Sequence, residues 1–162
     1  MQPFPNRCTK GLDIMPKKDS PPVTKAEFEM LATFRYELRR FLHFSEEAAR
    51  EAGLTPGQHQ ALLAVKGYPG KDRITIGELA ERLQVAHHSA VGLVDRLAAN
   101  DLLAREIGAE DRRQVYVSLT ARGEEVLQAL SAAHKLELQR VAPRFRALLR
   151  VLERKGGATK SE

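Results

Sequence analysis

The feature that most constrains the fold of this chain is a change of hydrophobic period in its middle third. Apolar side chains first recur every three or four residues in two short stretches separated by three residues, which is the spacing of amphipathic helices. The pattern then gives way to two runs rich in β-forming residues around a charged segment, which predicts a β-hairpin. The predicted elements are helices over 76–83 and 87–99 and strands over 102–106 and 114–119.

Three helix starts carry one sequence signature. Thr24, Thr55 and Thr75 are each followed three residues later by Glu or Gln, the pattern of a capping box in which side chain and backbone hydrogen-bond reciprocally. Pro56 strengthens the second start, because proline is preorganised for the first helical position. Beyond the helix over 76–83, these starts predict helices over about 25–52 and 56–66.

The C-terminal part is also predicted to be helical. We expect Thr120 to cap a fifth helix, and Pro143 to end or kink it near Val141 because proline lacks the backbone N–H. A sixth helix is expected over 143–153. The predicted fold class is mainly α with a small β-hairpin wing. It comprises a winged helix-turn-helix module over about 55–120 and a helical region built from the first and last helices, about 25–52 and 121–154.

The two ends of the chain lack hydrophobic periodicity. We expect residues 1–23, rich in proline and mixed charges, to form a disordered or loosely attached arm, and residues 155–162 a polar tail. Neither a secretory signal nor an apolar run long enough to span a membrane is apparent. The single cysteine, Cys8, excludes an internal disulfide and a structural zinc site. We therefore expect a cytoplasmic protein without metal or cofactor.

Net charge does not locate a functional surface. The chain carries a formal charge of +5, which permits nucleic-acid binding. Residues 72–122, however, contain seven arginines against eight acids, and the cationic excess lies at the two ends. The pattern of the middle segment, rather than its charge, must therefore indicate its function.

The second of the two short helices has the composition of a DNA-recognition helix. Such a helix buries one stripe and offers short polar side chains to base edges in the major groove. The residues expected to face outward are His87, His88, Ser89, Gly92 and Arg96. We expect the first three to contact bases, Gly92 to permit close approach, and Arg96 to contact a phosphate or to pack. An ordinary solvated helix face is the alternative.

The predicted wing carries the most specific signature in the chain: Asp111-Arg112-Arg113 followed by Val115, Val117, Leu119, Thr120 and Gly123. This signature is similar to that of the MarR family of bacterial regulators, and residues 74–123 as a whole resemble the family's DNA-binding module. The resemblance extends over about residues 25–153.

The resemblance assigns roles to the wing residues. It implies that Arg113 enters the minor groove, whose negative potential attracts a guanidinium, and that Asp111 helps to hold it. Arg112 is expected to meet a phosphate, and a hairpin-tip salt bridge is the alternative to these roles. The chain departs from the family at Asn100-Asp101, where the second position is usually glycine. We expect Asn100 to take the left-handed conformation that closes the helix.

Long apolar stripes on the outer helices have two possible destinations, a subunit interface or the internal core. The resemblance implies a homodimer in which the first, fifth and sixth helices interlock, so that two recognition helices meet the half-sites of a roughly palindromic operator. The stripes comprise Phe28, Leu31, Phe34, Leu38, Phe41, Leu42, Ser45 and Ala49 on the first helix, and Phe145, Leu148, Leu149 and Leu152 near the C-terminus.

The resemblance also implies a small aromatic or phenolic effector, bound in a cleft between the dimerisation helices and the DNA-binding module. Arg35 is placed to hold a carboxylate in such a cleft, and core histidines are the alternative for the imidazoles. No oxidant-sensing cysteine is present on the first helix. The candidate ligand residues are Arg35, Tyr36, His43, Phe44 and His59.

An enzymatic function is not indicated. The chain contains no HExxH sequence, no glycine-rich phosphate loop and no Ser/His/Asp grouping. The stronger rival to a DNA-binding repressor is a winged helix that contacts another protein without reading DNA.

Overall fold

The computed structural model describes residues 22–109, 111 and 113–156, with side chains described as far as Val151. Most of the predicted arm with Cys8, Arg112, the side chain of Leu152 and residues 157–162 of the tail lie outside the described residues. The elements are α1 (Lys25–Glu51), α2 (Pro56–Lys66), β1 (Ile74–Thr75), α3 (Ile76–Leu83), α4 (His87–Ala99), β2 (Leu103–Ile107), β3 (Val115–Leu119) and α5 (Ala121–Gly156).

All three predicted capping boxes form. At α1, α2 and α3 the threonine side chain accepts a hydrogen bond from the third helical N–H, and the Glu or Gln side chain accepts one from the threonine N–H. The bounds of α2, α3 and α4 coincide with those predicted from the sequence. Capping therefore fixes where the helices begin before any tertiary contact is considered.

The wing is a small antiparallel sheet with the strand order β1-β3-β2. Leu103 pairs with Leu119 and Ile107 with Val115, so β2 begins one residue later than predicted. Leu102 is excluded from the ladder because its N–H donates to the carbonyl of Leu97 at the end of α4. The two-residue strand β1 was missed, since so short a strand has no detectable period.

The core lies where α2, α3, α4 and the sheet meet. Because side chains from the helices and the strands are buried together here, apolar packing attaches the wing to the helices, and the polar tip is not its sole attachment. Ala49 of α1 and Leu127 and Leu130 of α5 join the same cluster. The largest fully buried side chains of this module are Leu62, Val65, Ile74, Leu79, Val94, Leu97 and Val117.

The expected end of the fifth helix near Val141 and the separate sixth helix are wrong, because α5 is one helix of 36 residues with Pro143 inside it. Proline in a helix costs about 3 kcal/mol. Packing on both sides of Pro143 offsets this cost. Val141 is buried before the proline, and after it Phe145 contacts Phe34 of α1 edge-on, at a centroid distance of 5.4 Å. The predicted cap is confirmed, with the Gly123 N–H donating to Thr120 Oγ1 at 3.0 Å.

The turn after α4 also differs from the prediction. Asn100 has a φ of −96°, and the left-handed conformation falls on Asp101, with a φ of +56°. The side-chain amide of Asn100 donates instead to the carbonyl of Arg96 at 2.7 Å. Asp101 therefore stands where the family that this sequence resembles usually has glycine. The left-handed conformation strains the backbone of a residue with a side chain.

The apolar stripe of α1 divides into two faces. Phe34, Phe41 and Ser45 pack on α5, and Ala49 is fully buried. A second face, with Phe28, Leu31, Leu38 and Leu42, is 40–58% exposed, and α5 exposes Leu136, Leu138, Leu149 and Val151. In the described part of the chain no helix is apolar over a length sufficient to cross a membrane.

Candidate nucleic-acid interface

Helix α4 buries one face and exposes the other. Ala90, Val94 and Leu97 are fully buried, whereas His87, His88, Ser89 and Arg96 are exposed and Gly92 is half-buried. The N-cap residue, Ala86, makes no side-chain cap to the first turn. The backbone N–H groups in the first turn of α4 are therefore available as hydrogen-bond donors, in addition to the polar side chains predicted from the sequence.

At the tip of the wing, Asp111 holds both the backbone and the side chain of Arg113. Asp111 Oδ1 accepts hydrogen bonds from both the backbone N–H and the Nε of Arg113, at 3.0 and 3.2 Å. The Arg113 side chain is nevertheless 91% exposed. Gly108 permits the tight tip, because a Cβ there would lie 2.7 Å from the carbonyl oxygen of Asp111. The guanidinium is thus oriented while still open to solvent.

Two ion pairs attach β2 to its surroundings. Arg105 pairs with Asp95, which ties the wing to α4. The next residue, Glu106, accepts from Arg73 at 2.5 Å, and the Arg73 guanidinium lies 4.9 Å from the centroid of the Tyr116 ring. Sequence reasoning missed both pairs, since nothing in the spacing of these residues indicates that they meet.

A cleft of about 580 Å³ separates α4 from the wing, and its lining includes His87, Val91, Arg105, Arg113 and Tyr116. The fold therefore brings the start of α4 and the wing arginine to one concave surface. The cleft continues to the start of α3.

Lys71 and Glu78 form an ion pair of 2.7 Å at that end of the cleft. Partial burial acts to raise the pKa of Glu78, but hydrogen bonds from Lys71 and Thr75 outweigh it and hold that pKa below its usual value. Glu78 is therefore an anion that both caps α3 and neutralises the nearest lysine.

A second cleft, of about 450 Å³, lies between α1 and α5. Three of the five candidate ligand residues line it, namely Tyr36, His43 and Phe44, whereas Arg35 and His59 do not. Arg39, which sequence reasoning did not select, also lines the cleft. Because Arg39 lines the cleft and Arg35 does not, Arg39 is better placed to hold an anion there, and among the described residues no carboxylate pairs with it.

His59 lies instead in the junction of α1, α2 and α5. It is 3% exposed, and its ring is 4.7 Å from that of His134, centroid to centroid. His134 Nδ1 lies 2.6 Å from the Leu130 carbonyl oxygen and Nε2 lies 2.7 Å from Ser45 Oγ, so Nδ1 carries the proton and the hydroxyl donates to Nε2 in the neutral ring. Burial, and then the neighbouring His134, lower the pKa of His59. Within the described residues no cluster of three or more His, Cys, Asp or Glu side chains is arranged to hold a metal ion.

The chain is similar to known regulators. A family model described as MarR family matches residues 52–114. Among relatives from Bacillus subtilis, the repressor MdtR is 30% identical over 58% of this chain and 59% of its own length. The repressor YetL is 27% identical over 66% of this chain and 64% of its own length. The uncharacterised regulator YsmB is 30% identical over 65% of this chain and 73% of its own. The chain thus spans about six-tenths of the length of the first two.

Solved structures share the fold at lower identity. A Staphylococcus aureus MepR mutant bound to an oligodeoxyribonucleotide superposes with a TM-score of 0.61 at 17% identity, covering 77% of this chain and 96% of that one. Bordetella bronchiseptica BpsR, whose DNA binding is regulated by 6-hydroxynicotinic acid, gives 0.58 at 20% identity, covering 78% and 97%.

Helix α4, the turn before it and the three-stranded wing define a winged helix-turn-helix protein. The matches to the family model and to YsmB are matches of sequence, and they support the same assignment as the fold does. The chain belongs to the MarR family. Its relatives are named as transcriptional regulators and not as enzymes.

Proposed function

We propose that this protein is a sequence-specific DNA-binding repressor that acts as a homodimer on a roughly palindromic operator. The observation that carries the proposal is the shared cleft between His87 at the start of α4 and Arg113 at the wing tip. A helix start directed at base edges and an arginine directed at the minor groove are the two contacts by which a winged helix reads adjacent grooves. The repressor names of MdtR and YetL support the direction of regulation.

Each part of the surface has its own role in this proposal. His87, His88 and Ser89 contact base edges from the first turn of α4, and Gly92 admits the duplex close to the helix axis. Arg113 enters the minor groove with Asp111 fixing its direction, and Arg112, outside the described residues, contacts a phosphate. These contacts divide into base readout and positioning, so their loss has different consequences for specificity and affinity.

In the proposed homodimer, the exposed apolar faces of α1 and α5 are buried against the second copy. Eight large apolar side chains on these two helices are 40–68% exposed in the single chain. Large apolar side chains exposed together on two neighbouring helices suit an association site. A second copy related by a two-fold axis would cover both faces and present two α4 helices to half-sites about one helical turn apart, roughly 34 Å.

The cleft between α1 and α5 is the proposed effector site. Tyr36 and Phe44 offer aromatic surfaces, and Arg39 offers a guanidinium without a carboxylate partner among the described residues. This combination suits a small aromatic or phenolic anion. Regulation of BpsR by 6-hydroxynicotinic acid supports a ligand of this class for a protein of the same fold.

The alternative is a winged helix that contacts another protein without reading DNA. Arg113 disfavours it, because an exposed guanidinium oriented at the tip of a wing suits a narrow groove of negative potential better than a protein surface.

Selection of duplexes from a random DNA pool tests the proposal. The protein should enrich an inverted repeat, and its occupancy of a promoter carrying that repeat should lower transcription of a reporter. Failure to enrich any sequence, with the protein folded and dimeric, would favour the protein-contact alternative.

A further inference from the structure

The guanidinium of Arg96 does not extend away from the end of α4 but lies back along the helix. Its Nη1 atom is 3.5 Å from the position that a Cβ on Gly92 would occupy. Helical side chains lean towards the N-terminus, and residues four apart lie on one face. Arg96 therefore places its charged group one turn closer to the base-reading start of α4 than its backbone position suggests.

The same face leaves this guanidinium free to bind an external acceptor. The adjacent carboxylate, Asp95, pairs with Arg105 of the wing. Among the described residues no other carboxylate pairs with Arg96, and its side chain is exposed. His88, Gly92 and Arg96 follow one another at four-residue intervals, so the guanidinium lies in the row that includes a candidate base-contacting residue.

We propose that Arg96 is a specificity-determining residue that reads a guanine in the major groove of each half-site. The inference rests on the DNA-binding function proposed above. An arginine fork donates two parallel hydrogen bonds to O6 and N7 of guanine, which is the commonest specific contact between protein and base. This assignment replaces the phosphate or packing role expected from the sequence.

Gly92 is the residue that makes the arrangement possible. An alanine Cβ would be in ordinary contact with Arg96 Nη1 at 3.5 Å, whereas a larger side chain would occupy the space of the guanidinium. Gly92 thus serves both the approach of the duplex and the placement of Arg96. Gly92→Leu should consequently reproduce the loss of guanine preference seen on changing Arg96.

The test is the sequence preference of Arg96→Lys compared with that of the unchanged protein. Lysine keeps the charge and the helix propensity but lacks the planar fork. Duplexes enriched by the unchanged protein should contain a G·C pair at one fixed position of each half-site. Arg96→Lys should discriminate that pair from the other three on the order of 5- to 100-fold less, with the remaining positions unchanged.

Replacing that guanine with 7-deazaguanine gives an independent readout, because it removes the N7 acceptor without altering base pairing. The substitution should weaken binding of the unchanged protein and leave Arg96→Ala, which has no donor to offer N7, little affected. Arg146→Lys, an exposed arginine of α5, is the matched control and should behave as the unchanged protein does.

Two results would overturn the assignment in distinguishable ways. If Arg96→Lys keeps the full base preference, and Arg96→Gln weakens all duplexes alike while the slope of log K against log salt falls by about one, Arg96 contacts a phosphate. If the unchanged protein enriches no sequence at all, the proposed function fails and the assignment fails with it.

Discussion

The carbonyl group of Leu102 occupies the space where a side chain at Gly123 would begin. Its carbon lies 3.0 Å from the position of a Gly123 Cβ, and its oxygen lies closer still. The same oxygen accepts the N–H of Thr120 at 3.3 Å, so the entry to β2 and the start of α5 are bound together at one point. At this point the entry to the wing and the start of α5 therefore meet through their backbones.

Gly123→Ala should destabilise the protein by about 3 kcal/mol, because neither backbone segment can move without breaking the cap of α5. Urea unfolding should show a lower midpoint with an unchanged slope. Gly57→Ala is the control, since among the described residues no atom beyond the adjoining backbone lies within 4 Å of its Cβ position, and it should be neutral or stabilising by up to about 1 kcal/mol. Equal midpoints for the two variants would contradict the close packing.

Asp101→Gly should stabilise the protein by about 0.5–1 kcal/mol. Asp101 has a φ of +56°, and glycine adopts that conformation without steric cost. Asn100→Gly is the matched comparison at the neighbouring position, where φ is −96°. It should destabilise, because it removes the hydrogen bond to the Arg96 carbonyl and adds backbone entropy to the unfolded chain. Thermal unfolding of the two variants side by side distinguishes them, and a gain for Asn100→Gly alone would be inconsistent with the turn described.

The burial of His59 should make stability depend on pH. Burial, and next His134, hold the pKa of His59 below its ordinary value of about 6.5. The unfolded chain therefore binds more protons than the folded one below that value. The contribution is complete above about pH 6.5 and decreases as the pH falls from there towards the folded pKa.

Urea unfolding at pH 7.5 and at pH 5.5 measures this loss directly, in a range where carboxylates remain largely ionised. His59→Gln should reduce the difference in stability between the two pH values. An unaltered difference would mean that other groups carry the acid sensitivity.

The exposed apolar face of α1 should determine the oligomeric state. The protein should have twice its chain mass of 18.1 kDa by light scattering. Leu38→Glu, at a position 40% exposed in the single chain, should shift the mass towards the monomer because it buries a charge in the interface. Leu63→Glu on α2, at a residue 48% exposed, is the control and should leave the dimer intact. A monomeric unchanged protein would contradict the dimer itself, and a dimeric Leu38→Glu variant would place the interface elsewhere.

The sequence predicted the elements of the DNA-binding module well because their signals are local. Capping at Thr24, Thr55 and Thr75 and the change of period after α4 need no tertiary information. Pro143 misled the prediction because its local cost is offset by the packing of α5 on α1, which a single sequence does not display.

At the candidate sites too, the contact between residues close in sequence was predicted, and contacts between separate elements were not. Arg113 and Asp111 are two residues apart, and their contact was anticipated. The pair of Asp95 and Arg105 and the contact between the rings of His59 and His134 join different helices and strands and were not. His59 was accordingly assigned to a ligand cleft, although it is buried in the junction of three helices.

The central claim is tested most directly by the affinity of Arg113→Ala for the duplex that the unchanged protein selects. Arg113 is 91% exposed and holds up no part of the core, so the variant should remain folded and dimeric. Binding in a gel-shift titration should weaken about tenfold or more, equivalent to about 1.4 kcal/mol, whereas Arg146→Ala on α5 should bind as before. An unaltered titration for Arg113→Ala would contradict the account of this surface as a DNA reader.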